Sequence, residues 1–141
     1  MKLERKFEPI NEQHQPLLAA LALEGIDTTP CIGGAERLVG YGETKHGYGP
    51  VCVLDLIQTP YVAEPHIIWF PWVSRKQKIS HFKWAMQYMS GSREVLLNVE
   101  KQHTQFFDHF ARQGLLRKVG HINNLPLVDE IHIYQVKRRP T

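Results

Sequence analysis

Continuous runs of hydrophobic residues along the chain predict a sheet of strands interrupted by helices. The two longest apolar runs cover residues 50–57 and 66–73, and both are typical of buried strands. The segment that separates them, 58–65, contains two prolines and is too short for a crossover helix, so the two strands are expected to pair antiparallel. We expect this pair to form the centre of the sheet.

The remaining elements follow from the spacing of apolar residues and from turn signals. A first helix is predicted from about 11 to 24, with Gly25 as its end. Residues 43–49 are predicted to be the turn of a hairpin, and 30–34 a loop. Further strands are predicted at 7–10, 36–42, 93–99 and 129–137, and further helices at 81–89 and 104–116, the last ending at Gly114. The resulting order is β-α-β-β-β-α-β-α-β, and a length of 141 residues predicts a single domain spanning residues 1–141.

A basic segment separates the strand 66–73 from the helix 81–89. It contains three cations, Arg75, Lys76 and Lys78, within residues 74–80. Backbone N–H groups and the helix dipole favour an anion at a helix N-terminus. The sequence therefore predicts a phosphate-binding loop directly after a central strand.

Composition narrows the class of protein but names no partner. With 43% hydrophobic and 22% charged residues, the chain is typical of soluble globular proteins, and its net charge of +3 permits nucleic acid without requiring it. Cys31 and Cys52 lie in separate segments without a CxxC motif, so no metal site is expected. The N-terminus lacks the apolar core of a signal peptide and no segment is long enough to span a membrane, so we expect a cytoplasmic protein.

The second half of the chain carries a resemblance to a known family. The strand residues 96–99, followed by the helix residues 106–115, resemble the fifth strand and the "Y-x-x-x-G-F" helix end of the GNAT N-acetyltransferase superfamily. Together with the element order, this resemblance covers most of the chain. It implies an α/β (α+β) fold with a mixed, mostly antiparallel central sheet and helices on both faces.

The resemblance also implies a cofactor and the residues that hold it. In that family the strand before the basic loop binds the pantetheine arm of acetyl-CoA, or of another acyl-CoA, and the loop binds the pyrophosphate. The matching positions are Phe70, Trp72, Val73, Arg75, Lys76, Lys78 and Ser80. The family loop "Q/R-x-x-G-x-G/A" has glycine or alanine where this chain has Lys78 and Ser80.

Acyl transfer to an amine needs a base, and three residues are candidates for it. They are Glu64, His66 and His109. The family often has a tyrosine that protonates the departing thiolate, but this chain has Phe110 at that position. We therefore expect weak activity or another acid, and expect Phe110→Tyr to raise turnover if the cofactor site is intact.

Three function classes remain open. The first is an acyl-CoA-dependent acyltransferase acting on a small-molecule or protein amine. The second is a non-catalytic structural or host-interaction protein, because the chain also resembles degenerate GNAT-like proteins of bacteriophages; it would lie in the host cytoplasm or the virion. The third binds or modifies nucleic acid through Trp72, Arg75, Lys76 and Lys78.

Overall fold

The computed structural model describes residues 4–29, 35–59, 61–91, 93–123, 125–126 and 129–137. The strands are β1 (Lys6–Pro9), β2 (Glu36–Thr44), β3 (Gly47–Gln58), β4 (Val62–Trp69), β5 (Glu94–Glu100), β6 (Leu116–Asn123) and β7 (Glu130–Val136). The α-helices are α1 (Gln15–Leu23), α2 (Arg75–Met89) and α3 (Thr104–Arg112), with 3-10 turns at Glu12–His14 and Lys101–His103. The predicted loop at 30–34, with Cys31, lies outside the described residues. No helix in the described ranges has both the length and the hydropathy to span a membrane.

The seven strands follow the sheet order β1-β2-β3-β4-β5-β7-β6. The neighbours pair antiparallel except β4 with β5, which are parallel. Hydrogen bonds from Phe70 N–H to the Val51 carbonyl and from Thr59 N–H to the Val62 carbonyl give β3 and β4 opposite directions. The predicted mixed, mostly antiparallel sheet and its central antiparallel pair are therefore confirmed.

The chain forms two compact units, which we describe separately. The first contains Met1–Ile57 and His66–Phe82, and the second contains Gln58–Pro65 and Lys83–Thr141. Both β4 and α2 therefore contribute residues to each unit. The prediction that the chain is one domain stays a prediction.

The first unit is built on the β2–β3 hairpin, which pairs from Glu36 with Leu56 to Thr44 with Gly47. Only two residues connect the last pair, and Gly47 has a φ of +97°, which favours glycine. The core of this unit is apolar and combines α1, β3 and the end of β4: Leu21, Val51, Cys52, Val53, Phe70 and Val73. Burial raises the pKa of the Cys52 thiol to about 12, so it behaves as an apolar core group.

The second unit places α3 beside the β5–β7–β6 sheet. Its largest fully enclosed side chains among the described residues are Tyr134, Phe110, Met86 and Leu116. The helix ends at Arg112, Gly114 follows its C-cap with a φ of +79°, and the Leu115 N–H donates to the Phe110 carbonyl at 3.0 Å. This is the glycine-terminated Schellman arrangement, so the predicted stop at Gly114 is confirmed.

A proline follows the described parallel pairs of β4 and β5. These pairs are Val62 with Glu94 and Ala63 with Val95. Since Phe70 and Val62 bond towards β3, the alternation of the strand directs the backbone of Pro65 towards β5. Proline has no N–H, so Pro65 cannot donate a ladder hydrogen bond to β5.

Several predicted boundaries differ from the structure. The strand predicted at 66–73 lies four residues earlier, so Glu64 and Pro65 belong to β4 rather than to a connection. The helix predicted at 81–89 begins six residues earlier, at Arg75. The helix predicted to reach Leu116 ends at Arg112, because Leu116 opens β6, a strand that the sequence pattern did not indicate.

One glycine is fixed by a close contact between β2 and α2. A Cβ atom added at Gly42 would lie 1.9 Å from Cε1 of His81, which is buried. Gly42→Ala is therefore expected to destabilise the fold by about 1–3 kcal/mol through overpacking, measured by chemical denaturation. The matched control is Gly49→Ala, since Gly49 pairs with Gly42 across the hairpin and has nothing within 4 Å of an added Cβ. Equal free energies of unfolding for Gly42→Ala and Gly49→Ala would contradict the close contact between Gly42 and His81.

Candidate functional site

The candidate site lies in the first unit, at the N-terminus of α2. Ser74 and Gln77 form a reciprocal cap there: the Gln77 N–H donates to Ser74 Oγ at 3.2 Å, and the Ser74 N–H donates to Gln77 Oε1 at 2.9 Å. This S-x-x-Q capping box fixes the start of the helix. The first intrahelical bond runs from the Lys78 N–H to the Ser74 carbonyl at 2.8 Å.

The first turn of α2 is positively charged. It holds Arg75, Lys76 and Lys78 and contains no acidic residue. The side chains of Arg75 and Lys76 are exposed, and that of Lys78 is half-buried. Cations at this end of a helix add to the positive end of the dipole instead of balancing it. The arrangement therefore lowers the energy of a bound anion.

Two backbone donors remain open at the same end. The first residues of a helix have no intrahelical acceptor, and within the described residues no acceptor is recorded for the N–H groups of Arg75 and Lys76. The cap uses the Gln77 N–H, and the helix uses that of Lys78. A phosphate can therefore be bound by two N–H groups and the adjoining cations.

The predicted basic loop is thus wrong as a loop, although its position after the central strand is as expected. Residues 75–80 are helical because the capping box starts the helix at Arg75. Glycines at 78 and 80 would serve a backbone that wraps closely around a phosphate. Here the Lys78 N–H is bonded within the helix, so that mode of binding is not available to it.

The strand-end residues Phe70, Trp72 and Val73 support the site mainly through their backbone and packing. The side chains of Phe70 and Val73 are buried in the core. The half-buried Trp72 donates its indole N–H to the Pro50 carbonyl at 2.7 Å and accepts the Lys45 N–H on its own carbonyl at 2.9 Å. These bonds attach the residues before α2 to the β2–β3 hairpin.

Ser80 is held by a residue that the sequence did not single out. Arg5 donates to the Ser80 carbonyl at 3.3 Å and also to Ser80 Oγ. Arg5 thereby brings a further cation to α2 from 75 residues away. Burial and, secondarily, the charge of Arg5 lower the pKa of the neighbouring His81, so its ring is neutral near pH 7. No local pattern could have indicated this contact, because the partners are far apart in sequence.

The three candidate bases occupy two elements, β4 and α3. Glu64 and His66 lie two residues apart on β4, so their side chains leave the same face of the strand. Asn98 of β5 donates its side-chain N–H to Glu64 Oε1 at 2.5 Å. His109 lies on α3, where its ring packs edge-on against Phe110 with centroids 5.2 Å apart. The catalytic roles of all three remain predictions.

Phe110 is completely buried and contacts Phe106 as well as His109. A hydroxyl added at this position would have to fit into a fully buried site, and the expectation that Phe110→Tyr raises turnover stays a prediction. We expect Phe110→Tyr to lower stability by about 1–3 kcal/mol, the cost of overpacking a filled core. A denaturant titration beside Phe106→Tyr, whose ring is only half-buried, measures this. Undiminished stability of Phe110→Tyr would contradict it.

A buried hydroxyl beside this helix is also poorly suited to proton donation. Tyr134 donates its O–H to Asp108 Oδ1 at 2.6 Å, so its proton is already bound. Burial, first, and Asp108, second, raise the pKa of Tyr134, which makes its phenol a weaker acid. Among the described residues, no cluster of His, Cys, Asp and Glu has the arrangement of a metal site.

Comparison with known proteins identifies the fold. No family model matches the sequence, and no curated protein is similar to it. Spermidine N-acetyltransferase from Vibrio cholerae in complex with CoA and spermine superposes with a TM-score of 0.64 at 11% identity, covering 94% of each chain. A mutant of that enzyme gives 0.67 at 11% identity, covering 94% of this chain and 92% of that one. A putative acetyltransferase from Sphaerobacter thermophilus gives 0.63 at 10% identity, covering 94% of each chain.

These alignments extend over nearly the whole chain, and the parallel β4–β5 pair in a mostly antiparallel sheet agrees with the predicted architecture. At such low identity they establish the fold and not the activity. The chain therefore has the fold of the GNAT N-acetyltransferases.

Proposed function

We propose that this protein binds acyl-CoA with its phosphates at the N-terminus of α2 and transfers the acyl group to an amine. One observation carries the proposal: a capped helix that follows a central strand presents two open N–H groups and three cations at its first turn. The fold that contains this helix is shared with N-acetyltransferases, one of which is described in complex with CoA. Both points favour a phosphate-bearing ligand here.

The residues divide the binding task between charge and backbone. Arg75 and Lys76 would hold the phosphates through side chain and N–H, and the half-buried Lys78 would add charge. The residues from Phe70 to Val73 would position the pantetheine arm, since their own hydrogen bonds fix the segment before α2. The missing glycines are compatible with this arrangement because the helix end replaces the wrapped loop.

Acyl-CoA, when bound, supplies an activated thioester. The chain must then remove a proton from the amine, and Glu64 is the first candidate because its carboxylate accepts a hydrogen bond from Asn98 that can orient it. His66, two residues further along the same strand, is the alternative base. Phe110 cannot protonate a thiolate and the buried Tyr134 is poorly suited to it, so we expect slow turnover unless solvent supplies the proton.

The acceptor is an amine, either a small molecule or a side chain of a protein. The Vibrio cholerae enzyme is described in complex with spermine, which makes polyamines the first acceptors to test. Binding of acyl-CoA without transfer would favour the non-catalytic alternative. Salt-sensitive DNA binding that Arg75→Ala weakens would favour the nucleic-acid alternative.

The test combines binding with chemistry. Titration calorimetry with acetyl-CoA should give a one-to-one binding heat, and mass spectrometry after incubation with spermidine should show the acetylated amine. Glu64→Gln keeps the shape of the side chain but removes the base, and is expected to lower kcat by about 10²–10⁴-fold while binding persists. Absence of any acetyl-CoA binding by the wild-type protein would overturn the proposal.

A further inference from the structure

A side-chain pair joins β4 and β5 just beyond their last described backbone pair. Asn98 Nδ2–H donates to Glu64 Oε1 at 2.5 Å, and both residues belong to the second unit. Because Val62 pairs with Glu94, and Glu64 and Asn98 follow them at even spacings, both side chains lie on one face. Pro65 has no N–H to donate to the ladder, and the side-chain bond between Asn98 and Glu64 links the two strands beside it.

We propose that Asn98 is the positioning residue for Glu64, a role that rests on the proposed function. A glutamate side chain can adopt several rotamers, and a misplaced base loses much of its effect. The amide of Asn98 fixes one carboxylate oxygen without neutralising the charge. The bond therefore orients the carboxylate of the base.

A second pair on the same face has the same chemistry and no assigned role. Gln135 Nε2–H donates to Glu94 Oε2 at 2.9 Å, and Arg117 donates to Gln135 Oε1 at 2.5 Å. Along β4, the other titratable group on this face is His66. The Glu94–Gln135 pair is thus a carboxylate–amide bridge against which changes at Asn98 can be compared.

The first test separates positioning from binding. Asn98→Ala is expected to lower kcat by up to about 10²-fold, with little change in KM for acetyl-CoA or for the amine. Gln135→Ala, which breaks the neighbouring bridge, should leave kcat near the wild-type value. A kcat that is unchanged in Asn98→Ala, or equally reduced in Gln135→Ala, would overturn the role of Asn98.

The second test uses an isosteric change that preserves packing. Asn98→Asp places a second carboxylate against Glu64, and two carboxylates that share a site retain a proton to higher pH. The acidic limb of the kcat profile should therefore move upward by about 1 pH unit or more. Gln135→Glu, which puts a carboxylate beside Glu94, should not move it.

The outcomes distinguish the two levels of the proposal. If the wild-type protein transfers no acetyl group, the proposed function is wrong and Asn98 has no base to position. If the wild-type protein is active and the profile of Asn98→Asp coincides with that of the wild type, only the role of Asn98 is wrong.

Discussion

Replacing Arg75 and Lys78 together by alanine is expected to abolish most of the affinity for CoA. Each charge-assisted contact to a phosphate contributes about 1.5–3 kcal/mol, which corresponds to roughly 10- to 100-fold in Kd for each residue removed. The loss of affinity is expected because the first turn of α2 combines cations with open N–H groups and contains no acidic residue. Calorimetric titration of both proteins with CoA measures the difference directly.

The control for that experiment is Lys83→Ala, which removes an exposed cation two turns further along the same helix. Its affinity for CoA should match the wild type. Raising the salt concentration should weaken wild-type binding more than that of the double variant, because exposed charges are screened. An unchanged CoA affinity in the double variant would remove the N-terminus of α2 from the site.

Removing Arg37 is expected to cost about 3–5 kcal/mol of folding free energy, the largest stability effect in the first unit. Arg37 Nε donates to Asp55 Oδ1 at 2.6 Å, and a second guanidinium nitrogen donates to the Thr28 carbonyl. The Asp55 side chain is only 2% exposed, and its Oδ2 has no partner among the described residues. Arg37→Ala would therefore leave a buried carboxylate without its counter-charge. Urea denaturation at neutral pH measures the loss.

The matched control removes both charges at once. Arg37→Met combined with Asp55→Leu keeps apolar volume in the pair, and such replacements are often neutral or stabilising. We expect the double variant to be clearly more stable than Arg37→Ala. If Arg37→Ala is as stable as the wild type, the ion pair is not a determinant of this fold.

The central strand β3 could be predicted because it is buried on both faces. Every residue from Val51 to Leu56 is buried, so β3 appears in the sequence as an uninterrupted apolar run. Gly25 and Gly114 ended their helices as predicted, since both adopt positive φ angles. Both kinds of signal, a continuous apolar run and a glycine after a helix, lie within one short segment of the sequence.

The start of α2 and the whole of β6 were missed for the opposite reason. The first turn of α2 is polar and half-exposed, and only the Ser74–Gln77 cap marks it, a signal that the S-x-x-Q spacing could have supplied. In β6, an edge strand, Leu116 is its only buried residue, so no alternation is visible. The spacing of apolar residues cannot indicate a helix turn or strand whose side chains are mostly exposed.

The candidate site was predicted in part. The cations of α2 lie where the basic segment predicted them. Arg5 and Asn98 were not predicted as site residues, because each contacts the site from a distant segment of the sequence. The bond from Asn98 to Glu64 depends on the parallel register of β4 and β5, which no local pattern specifies. The resemblance to bacteriophage proteins and the alternatives that follow from it stay predictions.

The most direct test of acyl-CoA binding is a ¹⁵N–¹H correlation titration of the wild-type protein with acetyl-CoA. The amides of Arg75 and Lys76, whose N–H groups have no recorded acceptor in the described part of the chain, should show the largest saturable shifts. The amide of Lys83, further along α2, should change little. Saturable shifts that leave Arg75 and Lys76 unaffected, or no shifts at all, would contradict binding at the N-terminus of α2.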